Sequence, residues 1–488
     1  MNSPVEEIIE NLNIDRQRKV IIFVQIIEEI IKMIQQGILK DGQQLPGTRE
    51  FATILNVNRN TIVRSMNELE ALGYVKIVPN VGTFIVSPHQ DKITAFTISN
   101  FQEKAKFKFK NSVLLDLPAS PKDFSICIDD GNIDAREIEL KIPSKTYSNL
   151  LLKKSSGEKI KSNDAQFFIK QFTNFINHTR NININPSNLL LTRTPEMALQ
   201  IISKVLLDKE SWIAVEEISD YKANMIFQEN NGKIIPIKSD EDGILPSELK
   251  EICQNHSIKA LYLNPNHSYP TSHSISNRRK NELIELSNDF GFVIIENDAD
   301  FDFYYNKRSN YPLSTNNSLE NVVYTSQFGK EYSPSFRLSY IIGPTDFIQE
   351  AKKHLNIYES PIDPLVLQTI GEMIFEGDVH RILKKQRKFY KERRDLSYQL
   401  LIEHFGEMIQ INSPENGFAF WIEWKISINL LQLKNDLEQD DIYLPQQNLY
   451  QNESICAMRF GFASLKEEEL LRIINTIKKS IEKQKLNN

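Results

Sequence analysis

The chain has 488 residues, 40% of them hydrophobic and 25% charged, with a formal net charge of −6. It is too long for one ordinary domain and apolar enough to bury large cores, which excludes a mainly disordered chain, a collagen-like repeat and a small disulfide scaffold. The acidic balance argues against a globally basic nucleic-acid coat, though not against a local DNA-binding surface. Residues 1–90 hold nine Lys and Arg against ten Asp and Glu, so any such surface must be focused on a few cations.

Cys127, Cys253 and Cys456 are far apart and form no C-x-x-C pair. Neither a zinc or other metal site nor a disulfide framework is expected, and a reducing cytoplasm is. The opening MNSPVEEIIENLN lacks the basic and apolar regions of a signal peptide, and no run of about 18 apolar residues occurs, so no membrane association is expected.

Three segments are predicted: a winged helix-turn-helix over 1–87, a linker over 88–122 and a large α/β domain over 123–488. In the first, Phe23, Ile26, Ile27, Ile30, Ile31 and Ile34 recur at helical spacing and stop at Gly37. A second helix is expected from Thr48 to Leu55. A third follows Asn58, a good N-cap, turns Ile62, Met66 and Leu69 inward and stops at Gly73. YVKIV and GTFIV then read as a hairpin. The linker contains KFKFK, whose alternation also fits an edge strand.

Three helices and a hairpin place the third helix in a major groove and the wing beside it. Arg59, Asn60, Thr61 and Arg64 lie at or near the start of that helix, suited to guanine, adenine and phosphate contacts. Arg49 is placed for a phosphate. Gly82 and Thr83 are expected at a wing tip that approaches the double-stranded operator.

Beyond residue 123, NLLLT (188–192), SWIAVE (211–216), ALYLNP (260–265), FVIIEND (292–298) and VVYTSQ (322–327) alternate with helical segments. That order predicts a mainly parallel sheet with its ligand site at the strands' carboxyl ends.

The stretch from QGILKDGQQLPGTREFA through VNRNTI and LGY to GTFIV resembles the GntR-type winged helix nearly end to end. The resemblance implies DNA contacts at Arg49, Arg59, Thr61 and Gly82. Val63 stands where many members carry arginine; Arg64 is one residue, about 100°, further round the helix, which puts its base contact in question.

The large domain resembles the type I fold of aminotransferases dependent on pyridoxal 5′-phosphate, the combination found in MocR-type regulators. SQFGKEYSPSFRLSYIIGP (326–344) carries the likeness, with Lys330 at the Schiff-base position and Arg337 at a phosphate-binding position. NLLLTRTPEMALQ resembles the strand-loop-helix that cups the cofactor phosphate, with Thr194, Pro195 and Glu196 in the turn. Tyr221 falls in the segment that stacks on the pyridine ring, and Arg459 where a ligand carboxylate is held. Asn297, 33 residues before Lys330, replaces the carboxylate that keeps the ring nitrogen protonated, and Ala299 replaces a tyrosine. Asp298 could stand in only through a one-residue shift, which in a strand reverses the face. Ser272 replaces a usual glycine.

The resemblance thus implies a homodimer that senses pyridoxal phosphate or a small amino or carboxylate effector. Two readings stay open: an aldimine at Lys330 used for sensing, or a degenerate pocket in which Lys330 is an ordinary lysine. No catalytic residue is assigned.

Overall fold

The isoleucine stripe of the N-terminal segment becomes helix α1 (Ile22–Gln35), which buries Ile26, Ile27, Ile30, Met33 and Ile34. The structure, a computed structural model, describes residues 12, 14–16, 20–86, 105, 107–110, 112, 115, 124–155, 162–305, 311–315, 320–330, 332 and 336–487. Two units separate, Met1–Lys110 and Asn111–Asn488. The division falls inside the expected linker, most of which lies outside the described residues; residues 107–110, which include most of KFKFK, carry no strand.

In the first unit, α2 (Thr48–Ile54) and α3 (Arg59–Ala71) follow α1. Asn58 caps α3 by accepting the Asn60 N–H at 2.9 Å, satisfying a donor that the helix leaves orphaned. Gly73, at φ +80°, releases the chain from α3. Strands β1 (Val75–Val78) and β2 (Gly82–Ile85) pair antiparallel as the wing. One core joins all five elements, with Phe51, Ile62, Leu69 and Ile85 buried between them.

The second unit is built on a seven-stranded sheet. Its strands are β3 (Leu189–Thr192), β4 (Trp212–Glu216), β5 (Lys233–Ile237), β6 (Ile258–Leu263), β7 (Val293–Asn297), β8 (Val322–Phe328) and β9 (Leu338–Ile342). The spatial order is β3-β9-β8-β7-β6-β4-β5, and only β9 pairs antiparallel with its neighbours. All five apolar runs of the sequence lie in this sheet. Their continuous apolar character reflects burial on both faces, as a parallel sheet requires. Helices α4 (Pro195–Leu206) and α5 (Tyr221–Glu229) follow β3 and β4.

A second, antiparallel sheet near the C-terminus departs from the expected uniform α/β pattern. It consists of β10 (Ile409–Ile411), β11 (Ala419–Trp424), β12 (Leu449–Gln451) and β13 (Cys456–Gly461), ordered β10-β11-β13-β12. β10 and β12 are only three residues long, and the paired neighbours β11 and β13 are separated in sequence by residues 425–455, so no local spacing records the sheet. Arg459 sits on β13. Among the described residues no helix is long and apolar enough to cross a membrane.

Candidate functional site

In the first unit, the residues that open α3 face outward. Arg59 and Asn60 are exposed and Thr61 is half-exposed, while Ile62, Ser65, Met66 and Leu69 on the opposite side are buried. Arg59 Nε lies 3.5 Å from Thr48 Oγ1 at the start of α2, so the two helices of the turn motif meet at this arginine. Arg49 is exposed on the first turn of α2. Arg64 is also exposed, but its guanidinium lies over the Phe23 ring of α1, 4.0 Å from the centroid. That stacking ties it to its own domain.

The wing requires a correction. Its tip is the turn at residues 79–81, with Asn80 at φ +61° and Val81 62% exposed. Thr83 is buried, and its carbonyl accepts the Leu45 N–H at 2.8 Å. Gly82, at φ +150°, lies against the Gln44 side chain, which donates to the Val81 carbonyl at 3.0 Å. Alternation in β2 turns Thr83 inward, and packing under the wing accounts for Gly82.

In the second unit, a cavity of about 430 Å³ opens at the carboxyl ends of β3, β4, β6, β7 and β8. Thr194, Asn297, Lys330, Arg337 and Arg459 all line it, joined by Asp220, His267 and Asp300. Tyr221 does not. Asp220 is the N-cap of α5 and accepts the N–H of Lys222 at 2.9 Å and of Ala223 at 3.3 Å. That geometry turns its carboxylate, rather than the Tyr221 ring, to the cavity wall. An Asp just before a helical run is the sequence signal that marks this position. Burial pushes the Asp220 carboxyl above its ordinary value.

Asn297 ends β7, and its Nδ2 donates to Tyr262 Oη at 2.9 Å. Tyr262 in turn donates to Asp220 at 3.4 Å. Asp298 lies beyond the strand's end and also lines the cavity, but its carboxylate is engaged within the protein: it accepts Asn266 Nδ2 at 3.2 Å and Tyr324 Oη at 3.2 Å. It therefore does not replace the missing carboxylate at position 297.

Lys330 Nζ lies 3.0 Å from Asp300 Oδ1, both side chains largely buried. Burial raises the Asp300 carboxyl, but Lys330, His267 and Arg459 together outweigh it and leave the group below its ordinary value. Asp302, two residues on, pairs with the fully buried Arg180 at 2.7 Å, which anchors the loop that carries Asp300. Asp300 has no local sequence signal; its partner comes from the turn that follows β8.

Arg459 is 3% exposed. Its Nε donates to Asp130 O at 2.7 Å, and Nη1 donates to Pro270 O at 2.8 Å and Ser272 Oγ at 2.9 Å. Nη2 meets His267 Nε2 at 3.3 Å. An arginine only donates, so Nε2 accepts and the neutral imidazole carries its proton on Nδ1. Burial, then the Arg459 charge, pushes His267 down to about 3, so it is neutral at physiological pH. Four of five guanidinium hydrogens are thus engaged, and Nη1 has none left for a fork. Ser272, at φ +60° in the place of a glycine, supplies one of these contacts.

The turn expected to cup a phosphate does not fit one. Pro195, the first residue of α4, has no N–H, and Thr194 Oγ1 takes the Met197 N–H at 3.1 Å. The Ala198 N–H is bonded to the Thr194 carbonyl at 3.1 Å. Of the first turn's donors, only the N–H of Glu196 stays unspent, on a residue that brings its own carboxylate. Helix N-termini bind anions through several converging N–H groups, and here they do not converge.

Residues 23–85 match the family model described as bacterial regulatory proteins, gntR family. These residues are a GntR-family DNA-binding domain. Over 465 residues the chain is 23% identical to an HTH-type transcriptional regulator of Bacillus subtilis, YdfD, covering 93% of this chain and 95% of that one. The fold also matches an archaeal alanine:glyoxylate aminotransferase, at TM-score 0.67 and 19% identity over 74% of this chain and 92% of that one. LysN, an α-aminoadipate aminotransferase from Thermus thermophilus solved with N-(5′-phosphopyridoxyl)-L-leucine, gives TM-score 0.65 and 17% identity, covering 73% of this chain and 93% of its own. A GntR-family head joined to an aminotransferase-like fold is the MocR-type organisation.

Proposed function

We propose that this chain is a cytoplasmic transcription regulator that binds a double-stranded operator through its GntR-family head and acts as a homodimer through its aminotransferase-like unit. The observation that carries the reading is the exposed opening of α3, where Arg59, Asn60 and Thr61 stand together on a helix whose other face is buried. With so few basic residues in the head, its affinity depends on pairing two heads on one duplex. The cavity of the large unit is the receptor for a small amino or carboxylate effector, and the effector changes operator affinity only by binding two states of the regulator unequally.

The fold is one that holds phosphopyridoxyl compounds in other proteins, as the LysN structure illustrates. An aminotransferase with a DNA-binding head is the weaker reading. Asn297 cannot keep a ring nitrogen protonated as a carboxylate does, and Ala299 offers no hydroxyl. The test is selection of duplexes from a random pool by the purified full chain. A recurring two-half-site sequence is expected with wild type, and the Arg59→Ala protein should lose it. A pool that stays random after repeated rounds overturns the reading.

A further inference from the structure

We infer that the cavity of the large unit is a receptor for an unphosphorylated ligand, its phosphate cradle closed by Pro195 and Glu196 and Lys330 held as the ion-pair partner of Asp300. The inference deepens the effector-site reading above and rests on it.

Three independent places in the cavity point the same way. At the phosphate end, the α4 terminus lacks one N–H at Pro195, spends another on Thr194 and adds the Glu196 carboxylate. Arg337 remains on the wall as an exposed cation, where solvent screening makes a single charge a weak substitute for converging donors. At the amine end, Lys330 Nζ is 3.0 Å from a carboxylate that burial has removed from water. Freeing this lysine to attack an aldehyde would leave Asp300 without its counter-charge. On the wall between β8 and the loop after β3, Ser339 is fully buried and its Oγ has no hydrogen-bond partner among the described residues. An unpaired buried hydroxyl is costly, and a ligand hydroxyl, amine or carbonyl satisfies it. One neutral hydroxyl suits such a group and does not make an anion site.

The test compares two aldehydes that differ only at the phosphate arm, pyridoxal 5′-phosphate and 5-deoxypyridoxal. The full chain is incubated with each, reduced with borohydride and digested, and label on Lys330 is quantified by mass against the exposed Lys388. A closed phosphate site predicts no advantage for the phosphorylated aldehyde at Lys330, a ratio near one after normalising to Lys388. The Pro195→Gly/Glu196→Ser double variant, checked for native circular dichroism, should raise that ratio at least tenfold. A tenfold or greater preference for pyridoxal phosphate in the wild type overturns the inference. So does a ratio that the double variant leaves unchanged, because the α4 terminus is then not what excludes the phosphate. Neither result bears on whether the cavity controls operator binding, which is read separately as the change in operator affinity on adding ligand.

Discussion

The head and the cavity carry family resemblance of very different kinds. In the head, Arg49, Arg59 and Arg64 stand on the helices their motif implies, though Val63 replaces one family arginine and Arg64 stacks on Phe23. In the cavity, four of the five expected cofactor-binding residues converge on one space, yet the chemistry around them is altered. Asn297 is neutral, Asp220 faces inward where an aromatic ring was expected, and Lys330 is engaged by Asp300. A fold can keep a site's geometry while its polar groups are reassigned to one another. Shared architecture therefore speaks to shape, and the hydrogen bonds speak to use.

The sharpest way to break this contrast is at Lys330. If it is a structural ion-pair partner, Lys330→Ala leaves Asp300 buried and uncompensated, and should cost about 3 kcal/mol in urea unfolding. Adding Asp300→Asn should recover most of that loss, whereas additive costs would show that the two groups are not coupled. The pH dependence has a definite sign. Asp300 is depressed in the folded state, so the pair's contribution is complete above the ordinary carboxylate range and fades as pH falls below about 4. The Lys330→Ala penalty should shrink in acid.

In the head, Arg59→Ala should weaken specific binding by about 1–3 kcal/mol and relax base preference, measured by anisotropy at fixed salt. Unchanged affinity and preference would remove the recognition role of α3. Asn58→Ala should lower the protection of α3 amides in hydrogen exchange by about 1 kcal/mol, the loss of an N-cap. Arg64→Ala is the mildest. It should leave base preference unchanged and cost about 0.5–1 kcal/mol of head stability through lost stacking on Phe23; a relaxed base preference would return Arg64 to the groove.

Most of the head was legible because its signals are local: the isoleucine period of α1, the Asn58 cap and Gly73 lie within a turn of the boundaries they set. Thr83 was misplaced because the hairpin's turn falls on Asn80 and Val81, one step earlier than the glycine suggests. Five of the main sheet's seven strands are legible from their apolar runs; β5 and the antiparallel β9 are not among them. The cavity's partnerships were not, since they join distant segments: Arg459 meets Asp130, Pro270, Ser272 and His267 across three stretches of chain. No spacing within one motif records which of these groups has already been claimed.

The most direct measurement of the divergence between the two regions is a visible absorption spectrum of the full chain bound to its selected duplex, with and without added pyridoxal phosphate. Tight operator binding with no protein-specific aldimine band is the predicted result. A saturable band that disappears in Lys330→Ala would contradict it and return the cofactor to the cavity.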